Sequence, residues 1–177
     1  MNRTLLIIPV FFVLLFTGSS PKYTCRIESS VANFFPPPSC DTIPELNQKI
    51  LSLVDQQLGK MVGYGECWDL AALVLNQNGA KWDGKYKFGR KVNPKKECVY
   101  PGDIMQFEGV KVRFTKDRTV FTETMAHHTA IIYEVKAVGI FVLAHQNTAA
   151  SGRKVGLSDL DLKTIISGKY LIYQPVW

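Results

Sequence analysis

The chain has 177 residues and a formal charge of +6, and 46% of its residues are hydrophobic. These values are typical of one folded domain plus a targeting segment and exclude a low-complexity or disordered chain. The basic residues are not interleaved with aromatic residues as in nucleic-acid-binding surfaces, so we expect no nucleic-acid partner.

The N-terminus has the pattern of a secretory signal peptide. Arg3 precedes an uncharged apolar run over residues 5–16, and small residues follow at 17–20. A membrane-spanning helix needs roughly 20 apolar residues, so we expect no stable membrane anchor. We therefore predict a signal peptide over residues 1–20 and a secreted or periplasmic protein that acts as a monomer.

Residues 21–42 are predicted to form a linker or strap before the folded domain. Three consecutive prolines, Pro36, Pro37 and Pro38, disfavour a helix and favour an extended chain. The folded domain is then predicted over residues 43–177.

The domain begins with two predicted helices, and strands follow. Apolar residues at helical spacing predict helices over Glu45–Lys60 and Glu66–Asn78, the second ended by Gly79. Alternating and β-branched segments predict the strands Ile104–Phe107, Val110–Phe114, His127–Val135, Ile140–His145 and Lys169–Tyr173. Helices followed by strands predict an α+β domain with an antiparallel sheet.

The chain has four cysteines, and an exported protein keeps disulfides. If Cys67 is a thiol, three cysteines remain. Cys25 and Cys40 flank the same irregular segment, so their pairing is the simplest prediction, which would leave Cys98 free.

Cys67 lies in the first turn of the second predicted helix, where the helix dipole favours a thiolate. The histidines His127, His128 and His145 all fall on the later hairpin and could supply the base of a thiol hydrolase. Strand alternation puts His145 and Asn147 on one face and Gln146 on the other, so His145 and Asn147 are both candidates to orient the base.

A thiol hydrolase also needs hydrogen-bond donors for the oxyanion of its tetrahedral intermediate. The backbone N–H of Cys67 is one candidate, and the hydroxyl of nearby Tyr64 is a weaker one. The second donor is left open.

Three segments resemble the CHAP and NlpC-type branch of the papain-like cysteine hydrolases: Gly65–Ala71, Pro101–Ile104 and His128–Ile132. The segments Pro101–Phe107, His127–Ile131 and Leu143–Asn147 are also similar to the cysteine-proteinase-fold module of fungal actin-patch SH3 proteins. The resemblance implies a papain-like fold, with N-terminal helices packed on an antiparallel sheet.

The resemblance implies Cys67 as nucleophile and His128 as base, because His128 directly precedes Thr-Ala-Ile. It implies His145 or Asn147 as the third residue, and no cofactor. CHAP proteins often have glutamine directly before the cysteine, where this chain has Glu66.

The predicted function is that of a secreted thiol hydrolase that cleaves amide bonds in a peptide or peptidoglycan-like substrate. A thiolate–imidazolium pair as the working form predicts activity near neutral pH. One alternative is a catalytically silent binding module with the same groove. A second is zinc bound by Cys67, His128 and His145, although no CxxC or HxxxH spacing favours it.

Overall fold

The computed structural model describes residues 40–177, which form two helices and a six-stranded antiparallel sheet. The helices are α1 (Glu45–Gln57) and α2 (Cys67–Gln77). The strands are β1 (Arg90–Val92), β2 (Ile104–Lys116), β3 (Thr119–Ala137), β4 (Ile140–His145), β5 (Gly156–Asp161) and β6 (Ile165–Gln174), with a 3₁₀ turn at Leu162–Thr164. Their order in the sheet is β1-β6-β2-β3-β4-β5. This architecture confirms the predicted papain-like α+β class.

The predicted signal peptide and nearly all of the predicted linker fall on residues 1–39, outside the described residues. Of the two described helices, neither is long and apolar enough to span a membrane.

Local backbone contacts fix the end of α1 and the start of α2. Helix α1 ends at Gln57, three residues before the predicted end, because Leu58 turns into an extended conformation and bridges to Val155. Helix α2 begins at Cys67, one residue later than predicted. Glu66 is its N-cap in a capping box with Asp69, so the start of α2 is fixed by reciprocal hydrogen bonds.

The long hairpin of β2 and β3 is the centre of the sheet. The two strands predicted on either side of Gly109 are one strand, β2, in which Gly109 (φ +61°) sits at a register shift. Strand β3 continues well beyond the predicted bounds at its N-terminal end. Two strands were not predicted from the sequence. Strand β1 is only three residues long, and β5 has only one buried residue, Leu160.

The core lies on both faces of the sheet. On one face, α1 and α2 bury Ile50, Val54 and Leu75 against Ile104 and Ile131. A second cluster contains residues that alternate with these along the strands, among them Met105, Ile132, Phe107, Phe141 and Ile172. This alternation is the period of two that strands impose, and it fixes which side chains of β3 face the helices.

The disulfide joins Cys40 to Cys98, so the predicted Cys25–Cys40 pairing and the free Cys98 are wrong. Cys25 lies outside the described residues. The side chain of buried Asn47 donates to the carbonyl oxygen of Pro101 (3.0 Å) and to Oδ1 of Asp103 (2.8 Å). These bonds hold the start of α1 against the turn before β2, which brings together two cysteines 58 residues apart in sequence.

Candidate active site

A cleft of about 470 Å³ opens beside the start of α2. Its wall contains all of the predicted site residues, Cys67, His128, His145 and Asn147, together with Glu66 and residues 123–126 of β3. Within residues 40–177, Cys67 is the one cysteine outside a disulfide. The topology therefore brings the start of α2, the middle of β3 and the end of β4 to one place, as predicted from the sequence.

The two buried histidines form a direct hydrogen bond. Nε2 of His128 lies 2.9 Å from Nδ1 of His145, and each side chain is only 8% exposed. The antiparallel register that pairs Ile131 with Ala144 places His145 alongside the residues before Ile131. Of the two candidates for the orienting role, His145 is thus the one that contacts the predicted base.

Ser158 on β5 continues this chain of contacts. Its Oγ lies 2.8 Å from Nε2 of His145. Ser158 pairs with Leu143, two residues before His145 on β4, so both side chains are on the same face of the sheet. Ser158 was not predicted from the sequence, because its position depends on a strand pairing that no local pattern reveals.

The hydrogen bonds define which tautomer of His128 leaves a ring nitrogen free to act as a base. To accept a proton at Nδ1, His128 must carry its own proton on Nε2 and donate it to Nδ1 of His145. His145 then carries its proton on Nε2 and donates it to Oγ of Ser158. The hydrogen bonds from His128 through His145 to Ser158 are therefore compatible with a His128 ring whose Nδ1 is free to accept a proton.

Asn147 has a different partner from the one that strand alternation suggested. Strand β4 ends at His145, and Asn147 has a left-handed backbone (φ +61°), so alternation does not extend to it. Its Nδ2 donates to Oε2 of Glu66 at 2.7 Å. The structure thus places this side chain beside the residue that precedes Cys67, and not against the His128 ring.

The backbone of residues 62–66, here named the entry loop, leads into α2. It is hydrogen-bonded by the side chain of Gln146. Its Oε1 accepts from the N–H of Val62 (3.1 Å), and its Nε2 donates to the carbonyl oxygens of Val62 (2.9 Å) and Glu66 (2.7 Å). Gln146 is fully buried and points away from His145, as alternation predicted. It is a support of the site that the sequence analysis did not assign.

Two further side chains hold the entry loop from outside. Asp69 accepts from the N–H groups of Tyr64 (2.8 Å) and Glu66 (3.0 Å). Arg153 donates to the carbonyl oxygen of Tyr64 (2.8 Å) and to Oε1 of Glu66 (3.0 Å), and it packs so closely on Gly65 that a Cβ there would lie 2.6 Å from its own Cβ. Tyr64 itself is 83% exposed and does not line the cleft, so its predicted hydroxyl role has no support.

The electrostatics of the cleft contradict a resting thiolate–imidazolium pair. Burial raises the pKa of the Cys67 thiol, and the carboxylate of Glu66 adds to this, although the backbone N–H groups of Thr129 and Trp68 oppose it. Burial, with a contribution from His127, lowers the pKa of His128 to about 4. Both shifts favour a neutral thiol and a neutral imidazole in the cleft, because burial outweighs the helix dipole.

His127, the neighbouring histidine, also lines the cleft but has other hydrogen-bond partners than His128. Its Nδ1 lies 2.8 Å from Oε2 of Glu108, and its ring meets Tyr86 edge-on. In the described part of the chain, no three histidine, cysteine or acidic side chains are grouped as a metal site would require. The zinc alternative for Cys67, His128 and His145 thus has no structural support.

The chain is similar to one family model and to two solved structures of one protein. No curated protein matches the chain. Two crystal structures of Ly7917, one titled "with the hydrolyzing product of MDP", align with TM-scores of 0.42 and 0.43 at 15% and 16% identity. They cover 72% and 73% of this chain, which spans only 62% and 63% of theirs. The family model described as the AIM3/BBC1 cysteine proteinase-fold domain matches residues 44–177. Because this match covers most of the chain, the protein belongs to the AIM3/BBC1 cysteine proteinase-fold family.

Proposed function

We propose that this domain is a thiol hydrolase that cleaves amide bonds, with Cys67 as nucleophile, His128 as general base and His145 as the residue that orients the base. The observation that carries the proposal is the hydrogen-bonded chain from His128 through His145 to Ser158. A buried imidazole pair costs solvation energy, and it lines the same cleft as the one free thiol of residues 40–177, as acyl transfer needs.

The reaction follows from the neutral resting state. As Sγ of Cys67 attacks the carbonyl carbon, Nδ1 of His128 takes the thiol proton and the carbonyl electron pair moves onto oxygen. The intermediate then collapses, the C–N bond breaks, and the His128 imidazolium gives its proton to the leaving amine. Water, deprotonated by the same ring, hydrolyses the thioester and frees Cys67.

We propose further that the enzyme works outside the cytoplasm on peptide or peptidoglycan-like substrates, without a cofactor. Two independent features support export: the signal-peptide pattern of residues 1–20 and the Cys40–Cys98 disulfide, since disulfides persist in oxidising compartments. The substrate class is drawn from the CHAP and NlpC-type resemblance.

The test is the rate at which iodoacetamide alkylates Cys67 between pH 5 and 9, read by peptide mass spectrometry. A thiol with a base beside it should react at pH 6–7 in a His128-dependent way, and His128→Ala should slow this reaction by about 10-fold or more. His127→Ala is the matched control, because it removes a histidine of the same cleft that pairs with Glu108 and not with His145, and it should slow the reaction much less than His128→Ala does.

A silent binding module is the second candidate, and the raised pKa of the Cys67 thiol is the observation that favours it. Such a module would show slow alkylation that appears only above the ordinary thiol pKa of about 8.5. If His128→Ala left that profile unchanged, the hydrolase proposal would be refuted.

A further inference from the structure

The cleft contains one donor that the reaction above does not use. Asn147 lies in its wall, and its amide nitrogen has two hydrogens. One of them is committed to Oε2 of Glu66 at 2.7 Å. The carboxylate partner also fixes the orientation of the amide, because a carboxylate accepts and would repel the amide oxygen.

Glu66 cannot itself stabilise an oxyanion. Its Oε1 accepts from Arg153 (3.0 Å) and its Oε2 from Asn147, so it is held as a hydrogen-bond acceptor beside the thiol. Related hydrolases often have glutamine, a donor, before the cysteine, so this chain needs another donor near Cys67. Glu66 is positioned to align Asn147 for that purpose.

We infer that Asn147 is the second oxyanion donor, whose free Nδ2 hydrogen joins the backbone N–H of Cys67 in binding the carbonyl oxygen that becomes negative. The left-handed backbone of Asn147, a conformation that asparagine adopts readily, takes its side chain out of the β4 alternation and toward Glu66 in the cleft wall. The inference rests on the proposed hydrolase function and names the donor that such a function requires.

The experiment compares two reactions of the same thiol. N-acetyl-alanyl-alaninal, a small peptide aldehyde, forms a hemithioacetal: Sγ bonds to the aldehyde carbon, the C=O π electrons move onto the oxygen, which becomes negative, and His128 takes the thiol proton. Iodoacetamide instead reacts by displacement of iodide and builds no oxyanion. A variant that lacks only the oxyanion donor should therefore lose aldehyde affinity and keep its alkylation rate.

The variant is Asn147→Gly, which accepts the left-handed backbone and removes the amide donor without adding a charge beside Glu66. It should bind the aldehyde about 100-fold more weakly, the effect of losing one oxyanion donor, with an unchanged rate of Cys67 alkylation at pH 7. Asp117→Gly, at the other end of the hairpin and also at positive φ, is the control for added backbone freedom.

Two results would overturn the inference, and they are distinguishable. If wild type shows His128-dependent alkylation and Asn147→Gly binds the aldehyde as tightly as wild type, Asn147 is not the donor while the hydrolase proposal stands. If wild type shows neither His128-dependent alkylation nor aldehyde binding, both proposals fail together.

Discussion

His128 and His145 share a hydrogen bond of 2.9 Å although they lie on different strands and each is nearly buried. Two imidazoles this close cannot both be charged, and burial with their mutual repulsion lowers the pKa of His145 to about 3. In a neutral pair, one ring nitrogen of the contact donates and the other accepts. The bond between His128 and His145 therefore fixes the tautomer of each ring as well as its position.

The acid limb of the activity profile should lie far below the ordinary histidine range. His128 works as a base only when it is neutral, and its lowered pKa of about 4 keeps it neutral at all higher pH. We expect kcat/KM for amide hydrolysis to rise through about pH 4 and to be level by pH 6. An acid limb near pH 6.5, the ordinary histidine value, would contradict a buried neutral base.

Ser158→Ala should lower kcat by about 10-fold with little change in KM, because His145 loses the acceptor that favours its Nε2–H tautomer. Imidazole ¹⁵N NMR shifts should report the altered tautomer populations of His145, which a merely structural role would not change. Ser158→Thr keeps the hydroxyl and should restore activity, and Ser52→Ala on the exposed side of α1 is the control. Unchanged ¹⁵N shifts in Ser158→Ala would remove Ser158 from the chain.

Much of this site could be predicted from the sequence, for a physical reason. Cys67 lies at the start of a segment with regular apolar helical spacing, and His128 lies on a strongly β-branched strand, so local signals locate both. Ser158, Gln146 and Arg153 act through pairings between distant segments, which no local pattern reveals. The predicted ion pair failed because burial, which sets both pKa values, is a property of the folded chain.

Gln146→Leu should destabilise the domain by about 2–4 kcal/mol, because it leaves the buried Val62 N–H and two carbonyl groups without their partner. Urea denaturation measures this loss. Gln77→Leu, at the exposed end of α2, is the matched control and should change stability by less than about 0.5 kcal/mol. Equal stability of the two variants would show that Gln146 does not hold the entry loop.

Removal of the disulfide by Cys40→Ser with Cys98→Ser should lower the free energy of unfolding by about 3–4 kcal/mol, because the bond closes a loop of 58 residues. Urea denaturation gives the value, and Cys67→Ser serves as the control for loss of a cysteine. Peptide mass spectrometry of the unreduced wild type should recover a Cys40–Cys98 cross-linked peptide. Recovery of a Cys25–Cys40 peptide would contradict the structure.

The position of Gln146 directly after His145 has a mechanical consequence. His145 is hydrogen-bonded to the predicted base, His128. Gln146 donates to the carbonyl oxygen of the residue directly before the predicted nucleophile. The end of β4 is therefore linked both to the predicted base and to the residue before the predicted nucleophile. One short segment thus sets the relative position of the two groups.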